Sequence, residues 1–174
     1  MASLPQALLQ ECQVLVTQSA STISTLVDAA NKGKWTSADT TQLQSLVQPL
    51  LTYLDGFNSV GVIASGGISF GLGVEEVPGV LLNNQDLSAA PWFYNFVGGS
   101  LGLSEGVDAA VGILIAQGTP STLGGWQVFA DAGITIVGGI GVQVSAGGQY
   151  FIFVSTGEDV NFSVGGGDVS VKQL

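Results

Sequence analysis

An α+β fold is predicted by a contrast within the chain. All but two of its 26 glycines, Gly33 and Gly56, lie beyond Val60, set among Val, Ile, Leu and Phe. Much of that part alternates apolar residues with small or polar ones, as in Ile68-Ser69-Phe70-Gly71-Leu72-Gly73-Val74 and Val160-Asn161-Phe162-Ser163-Val164, the pattern of strands that bury one face. The residues before Asp55 are instead rich in Gln, Ser, Thr and Leu, with apolar positions spaced by three, four and seven, as in helices. Gly weakens a strand unless curvature, a bulge or close backbone approach requires it. The expected architecture is therefore an N-terminal helical hairpin, residues 1–56, packed on a strongly curved, Gly-rich antiparallel sheet, residues 57–174. The sheet is expected to close into a barrel-like sandwich and to form one structural unit with the hairpin.

In the first helix Leu8, Cys12, Leu15, Val16, Ile23, Leu26, Val27 and Ala30 make the apolar stripe, and Gln10, Gln13, Thr17, Gln18 and Ser21 lie opposite. Asn31-Lys32-Gly33-Lys34 ends it, with Gly suited to the left-handed residue after a helix and Lys suited to the negative end of the dipole. Thr36 or Ser37 caps the second helix, whose stripe is Leu43, Leu46, Val47, Leu50, Leu51 and Leu54. Pro49 removes a donor and clashes with the preceding turn, so a kink or break is expected near Ser45 to Pro49.

Strand segments are expected at 60–65, 68–75, 79–83, 93–103, 107–116, 126–131, 133–144, 149–155, 159–164 and 168–172. Asn83 to Pro91 reads as a turn-rich loop or one short helix opening at Asp86, and Gln117 to Gly125 as a second interruption containing Thr119-Pro120-Ser121-Thr122.

Thirteen Asp and Glu stand against three Lys, with neither Arg nor His, for a formal charge of -10. No bidentate phosphate fork and no basic stripe can be built, which excludes nucleic acid as a partner, and anionic membranes repel such a surface. Cys12 is the sole cysteine, so an intrachain disulfide and a thiolate metal cluster are excluded. Without His, neither a Ser-His-Asp nor a Cys-His arrangement can form, and the three lysines sit at a helix turn and near the end of the sequence. Carboxylate pairs are the remaining acid–base candidates. Glu75 and Glu76 alternate faces on a strand, Glu158-Asp159 reads as a solvated hairpin tip, and Glu105 with Asp108 is too sparse for Ca2+. The expectation is a protein with no catalytic residues, no metal site and no cofactor.

Aromatic residues are better candidates for contact. Trp35, beside Lys34 and close to Lys32, either seals the hairpin or anchors at a membrane interface, and Trp92, next to Pro91, is the rim residue of Trp92-Phe93-Tyr94. These four, Lys32, Lys34, Trp35 and Trp92, are the expected lipid or membrane contacts. Met1 to Glu11 holds no Lys or Arg and is broken by Pro5, Gln6, Gln10 and Glu11, so no export signal is read there. No apolar run is long enough for a membrane-spanning helix. A cytoplasmic or peripheral membrane location is expected if this is the full protein.

The Gly-rich part resembles the SYLF domain, a family of lipid-binding modules found in bacteria and, in eukaryotes, joined to SH3 or FYVE domains. Gly99-Ser100-Leu101-Gly102-Leu103-Ser104-Glu105-Gly106, followed by Val111-Gly112-Ile113-Leu114-Ile115, is similar to the family's G-S-x-G-L-Q-x-G and its next strand. Gly125-Trp126 and Ala130-Asp131-Ala132 are similar to its G-W and G-A-D-A. Phe70-Gly71-Leu72-Gly73-Val74 and Gly79-Val80-Leu81-Leu82 resemble its early strands, and Tyr150 to Val154, Gly157, Ser163, Gly167 and Val169 resemble its ending. The resemblance implies non-enzymatic association with lipid or membrane, and its actin-binding members imply a structural or protein-interaction module as the alternative. A carrier of a small apolar ligand held between helices and sheet is the third reading. Only Lys32 and Lys34 stand where phosphoinositide-binding members carry basic residues, so apolar insertion rather than charge is the expected route.

Overall fold

A computed structural model describes residues 6–65, 72–102, 110–133, 139–145, 150–155 and 162–174. It is an α+β fold with two α-helices and an antiparallel sheet, the class expected. Helix α1 spans Gln6–Asn31 and α2 spans Ser37–Val47. The strands are β1 (Ser59–Ser65), β2 (Leu72–Asn83), β3 (Trp92–Gly102), β4 (Ala110–Ala116), β5 (Gly125–Gly133), β6 (Gly139–Ser145), β7 (Tyr150–Ser155) and β8 (Phe162–Gln173). Each pairs antiparallel with two neighbours in the order β1-β2-β3-β8-β5-β6-β7-β4, and the β4–β1 pairing closes the ring.

Helix α1 is interrupted at Ser19, whose φ of -118 and ψ of 17 leave the helical region. The interruption falls between two buried runs, Leu8, Cys12 and Val16 before it and Ile23, Leu26, Val27 and Ala30 after it. It lets both keep one face toward the sheet, and a serine is a common site for such a bend. Gly33, at φ +68, supplies the left-handed residue after α1, and the Lys34 amide closes back on the Ala29 carbonyl at 2.8 Å. A capping box opens α2. The Thr36 side chain accepts from the Asp39 amide, and Asp39 Oδ2 accepts from the Thr36 amide at 2.8 Å. At Pro49 the α-helix gives way to a 3-10 helix, Gln48–Tyr53, with Pro49 in its first turn, where a missing N–H costs least.

Two expected pairs of segments are single strands. The described part of segment 68–75, from Leu72 on, and segment 79–83 meet in β2, which runs through Pro78, with 68–71 outside the described residues. Pro78 pairs with Asn95 of β3 one residue past the last β1–β2 pair, Ile63↔Gly79, so it lies where one side of β2 is unpaired, a position that tolerates a residue without an N–H. The described part of segment 159–164, from Phe162 on, and segment 168–172 meet in β8, which runs through Gly165-Gly166-Gly167 between β3 and β5, with 159–161 outside the described residues. Segment 133–144 divides instead into the end of β5 and β6, with 134–138 outside the described residues.

Alternation places two cores on the two faces of β1, β2 and β4. Val60, Val62, Val80, Leu82, Val111, Ile113 and Ile115 meet the buried stripes of α1 and α2, so the helices cover that part of the outer surface. Ile63, Leu81, Tyr94, Phe96, Leu114, Ala116, Leu123 and Val169 form the second cluster, on the lining side. Each fully buried Leu, Ile or Phe contributes about 1.5–3 kcal/mol relative to exposure. Glycines let the lining strands approach. A Cβ on Gly79 would stand 2.6 Å from the Val62 carbonyl oxygen and 2.7 Å from Ile63 Cγ2.

The loop of residues 84–91 is a series of turns rather than a helix, held by Asp86 Oδ1, which accepts from the Ser88 amide at 3.2 Å. It is tied to the entry of β1 by side-chain amides. Asn84 Nδ2 donates to the Phe57 carbonyl at 2.7 Å, Gln85 Nε2 to Asn58 Oδ1 at 2.8 Å, and Asn58 Nδ2 to the Gln117 carbonyl at 2.8 Å. The buried Ser59 hydroxyl donates to the Gly118 carbonyl.

Candidate functional site

The residues expected to contact lipid occupy separate parts of the molecule. Trp35 is half-buried against the helix–sheet core, and its Nε1 donates to Thr40 Oγ1 at 2.9 Å. It therefore seals the hairpin. Lys32 and Lys34 are exposed beside it, and Lys32 Nζ pairs with Asp28 at 3.0 Å. Trp92 opens β3 half-buried, paired with Leu81 and Gln173, two residues before the buried Tyr94. Cys12 is buried in the core of α1. Burial, with a smaller contribution from Glu11, pushes its thiol from 9.0 to about 12, so it is protonated and inert at neutral pH.

Of the carboxylates weighed for chemistry, Glu76 is exposed and accepts from Asn95 Nδ2 at 3.0 Å. Only the backbone of Glu75 is described, and Glu105, Asp108, Glu158 and Asp159 lie outside the described residues. Among the described residues no three His, Cys, Asp or Glu come together as a metal site.

A different group emerges on the outer surface away from the helices. Four large apolar side chains are well exposed among the described residues: Val14 on α1, and Val97, Trp126 and Val128 at 45%, 55% and 52% exposure. The last three share one strip on three adjacent strands. Val97 of β3 is paired with Asp168 of β8, which is paired on its other side with Trp126 of β5. In the next row of that face Gly99 is paired with Gly166, and Gly166 with Val128. Strands lie about 4.8 Å apart, so Val97, Asp168 and Trp126 span about 10 Å. Intervening residues Phe96, Gly167 and Val169 are buried, which fixes the strip on the outside. Gly166 has no side chain, so the surface between Val128 and Asp168 is bare.

Sequence reasoning passes over this strip. Trp126 enters it only within the Gly125-Trp126 motif, and Val97 and Asp168 read as ordinary strand residues. The available signal was the spacing Trp126-x-Val128, which puts two large apolar residues on one face of a strand.

The molecule is thus an α+β protein whose helices cover one side of an antiparallel sheet and whose bare side carries an apolar strip. No protein-family model and no curated protein matches the chain. Among solved structures, a likeness is found to the virulence-associated protein VapB from the intracellular pathogen Rhodococcus equi. It has 17% identity and a TM-score of 0.42, and covers 66% of this chain and 97% of that one. A likeness at that level carries no inference about this protein. Among the described residues no helix is long and apolar enough to cross a membrane.

Proposed function

We infer that this protein is a non-enzymatic module that binds a lipid or membrane surface by apolar contact. The observation that carries the reading is the exposure of Trp126, Val128 and Val97 together on β5 and β3, on the side the helices leave uncovered. In this reading the hairpin and the curved, barrel-like sheet act as a rigid body, and the strip is the part that meets lipid. The SYLF resemblance supports it through its quoted motifs. Trp amphipathicity suits an interface, with the ring in the apolar region and the Nε1 at the headgroups. Lys32, Lys34 and Trp92 are secondary contacts, and Trp35 is engaged with the core and Thr40 instead.

The charge of -10 sets the character of the binding. An anionic bilayer repels the protein over most of its surface, so adsorption rests on apolar area. Flotation with zwitterionic vesicles is expected to change little between about 0.05 and about 0.5 M salt, because the apolar contact that supplies most of the attraction is not screened. Added anionic lipid is expected not to strengthen it, and Trp126→Ala to weaken it severalfold. Phosphoinositide-selective binding lost at high salt would sink the reading. Absence of vesicle binding with capture of a defined protein partner at the strip would favour the protein-interaction alternative.

A further inference from the structure

The strip is not purely apolar, and the exception suggests its ligand. Asp168 is exposed between its two paired neighbours Val97 and Trp126, and among the described residues it has neither a hydrogen bond nor an ion pair. Glu76, paired with Val97 on the far side, is engaged by Asn95. The one lysine on β8, Lys172, is four residues from Asp168, about 13 Å along the strand. A lone carboxylate beside an exposed indole and two valines is complementary to a cation that also accepts apolar neighbours.

We propose that the Asp168–Trp126 pair, flanked by Val97 and Val128, receives the methylated ammonium of choline-type headgroups on a zwitterionic bilayer. The inference rests on the lipid reading above and names the headgroup class for that same strip. A methylated ammonium has no N–H, so one carboxylate, an indole ring and valine methyls leave nothing unsatisfied. An indole is the best side-chain partner for such a cation. A lysine ammonium brings three donors and would find one acceptor among apolar groups, which disfavours a basic protein segment as the occupant. A second copy of the chain would set Asp168 against like charge on a body already at -10. In a choline bilayer the ammonium is the outermost group, so Asp168 meets the cation before the phosphate.

The test compares flotation with phosphatidylcholine vesicles and with vesicles of an uncharged sugar-headgroup lipid. The intact protein is expected to bind choline vesicles about fivefold more tightly. Asp168→Asn is expected to cut that preference to about twofold, what the Trp126 ring alone sustains, leaving sugar-headgroup binding and the thermal midpoint unchanged. Trp126→Ala is expected to weaken both arms. Tetramethylammonium chloride is expected to compete in the choline arm alone, with sodium chloride as the ionic-strength control. Equal binding to both vesicles, or a choline preference undiminished by Asp168→Asn, overturns the headgroup inference while the lipid reading stands. Binding to neither overturns both, as does a lysine-rich peptide perturbing the strip of a protein that ignores vesicles.

Discussion

Phe96 lies against Gly167 on the lining side of the sheet. A methyl group at Gly167 would stand 2.8 Å from Phe96 Cζ and 2.5 Å from the Cα of Gly98, the residue paired with it. The same ring would be 2.5 Å from a methyl group at Gly98. Gly98 and Gly167 are therefore the space that lets a full phenyl ring fit between β3 and β8.

Gly167→Ala and Gly98→Ala are each expected to destabilise the protein by about 1–3 kcal/mol, the usual cost of forcing an extra carbon into a packed core. Gly124→Ala is the control. Its added methyl would meet only the Val169 carbonyl oxygen at 3.5 Å and Val171 Cγ2 at 3.9 Å, ordinary contacts, so a change within about 0.5 kcal/mol is expected. Urea denaturation of the three variants checks the ranking, and equal effects would show that the β3 and β8 backbones, whose Val97 and Gly166 carbonyl oxygens would stand within 2.5 Å of the added methyl groups, can move apart.

Trp35 is tied into the hairpin, so Trp35→Ala is expected to cost about 2 kcal/mol from lost packing and the orphaned Thr40 hydroxyl. Thr36→Ala, which removes the capping box, is expected to cost about 1 kcal/mol. Thermal unfolding checks both. A Trp35→Ala protein with an unchanged midpoint and weakened vesicle binding would return Trp35 to the role of interfacial anchor.

Alkaline pH is expected to destabilise the fold through Cys12 and Tyr94. Burial pushes the Tyr94 phenol well above its ordinary 10.0, and the Cys12 thiol rises from 9.0 to about 12. Below pH 9 both groups are protonated in the folded and unfolded chains, and their contribution is fully present. Above the ordinary values the unfolded chain loses protons that the folded chain keeps, so stability falls by up to about 1.4 kcal/mol per pH unit for each group. Denaturation midpoints between pH 8 and pH 11 should decline, with a shallower slope in Tyr94→Phe and Cys12→Ala. Cys12 should also resist alkylation at pH 8 until denaturant is added.

The elements were legible where a periodic pattern is decided locally. The stripe from Leu8 to Ala30, the stop at Gly33, the choice of Thr36 or Ser37 as cap and the break at Pro49 all rest on neighbours within a few residues. Strand continuity was less legible because it depends on the partner. Pro78 and Gly165-Gly166-Gly167 look like interruptions until the pairing of β1 with β2 is seen to end at Ile63↔Gly79 and β3 to place Gly98, Gly99 and Ser100 opposite the glycines. The exposed strip was hidden for a similar reason. β3 carries apolar residues on both faces, and only the position of the helices over β1, β2 and β4 decides which outer face stays bare.

The position of β8 between β3 and β5 bears on how the molecule comes into being on the ribosome. These two strands can meet across the ring only through residues 162–173, so every other pairing can be made while β3 and β5 still present open edges. Until that segment emerges, the nascent chain carries two unpaired ladders, each able to recruit a neighbouring chain in place of β8. Closure by so distant a segment is also entropically slow.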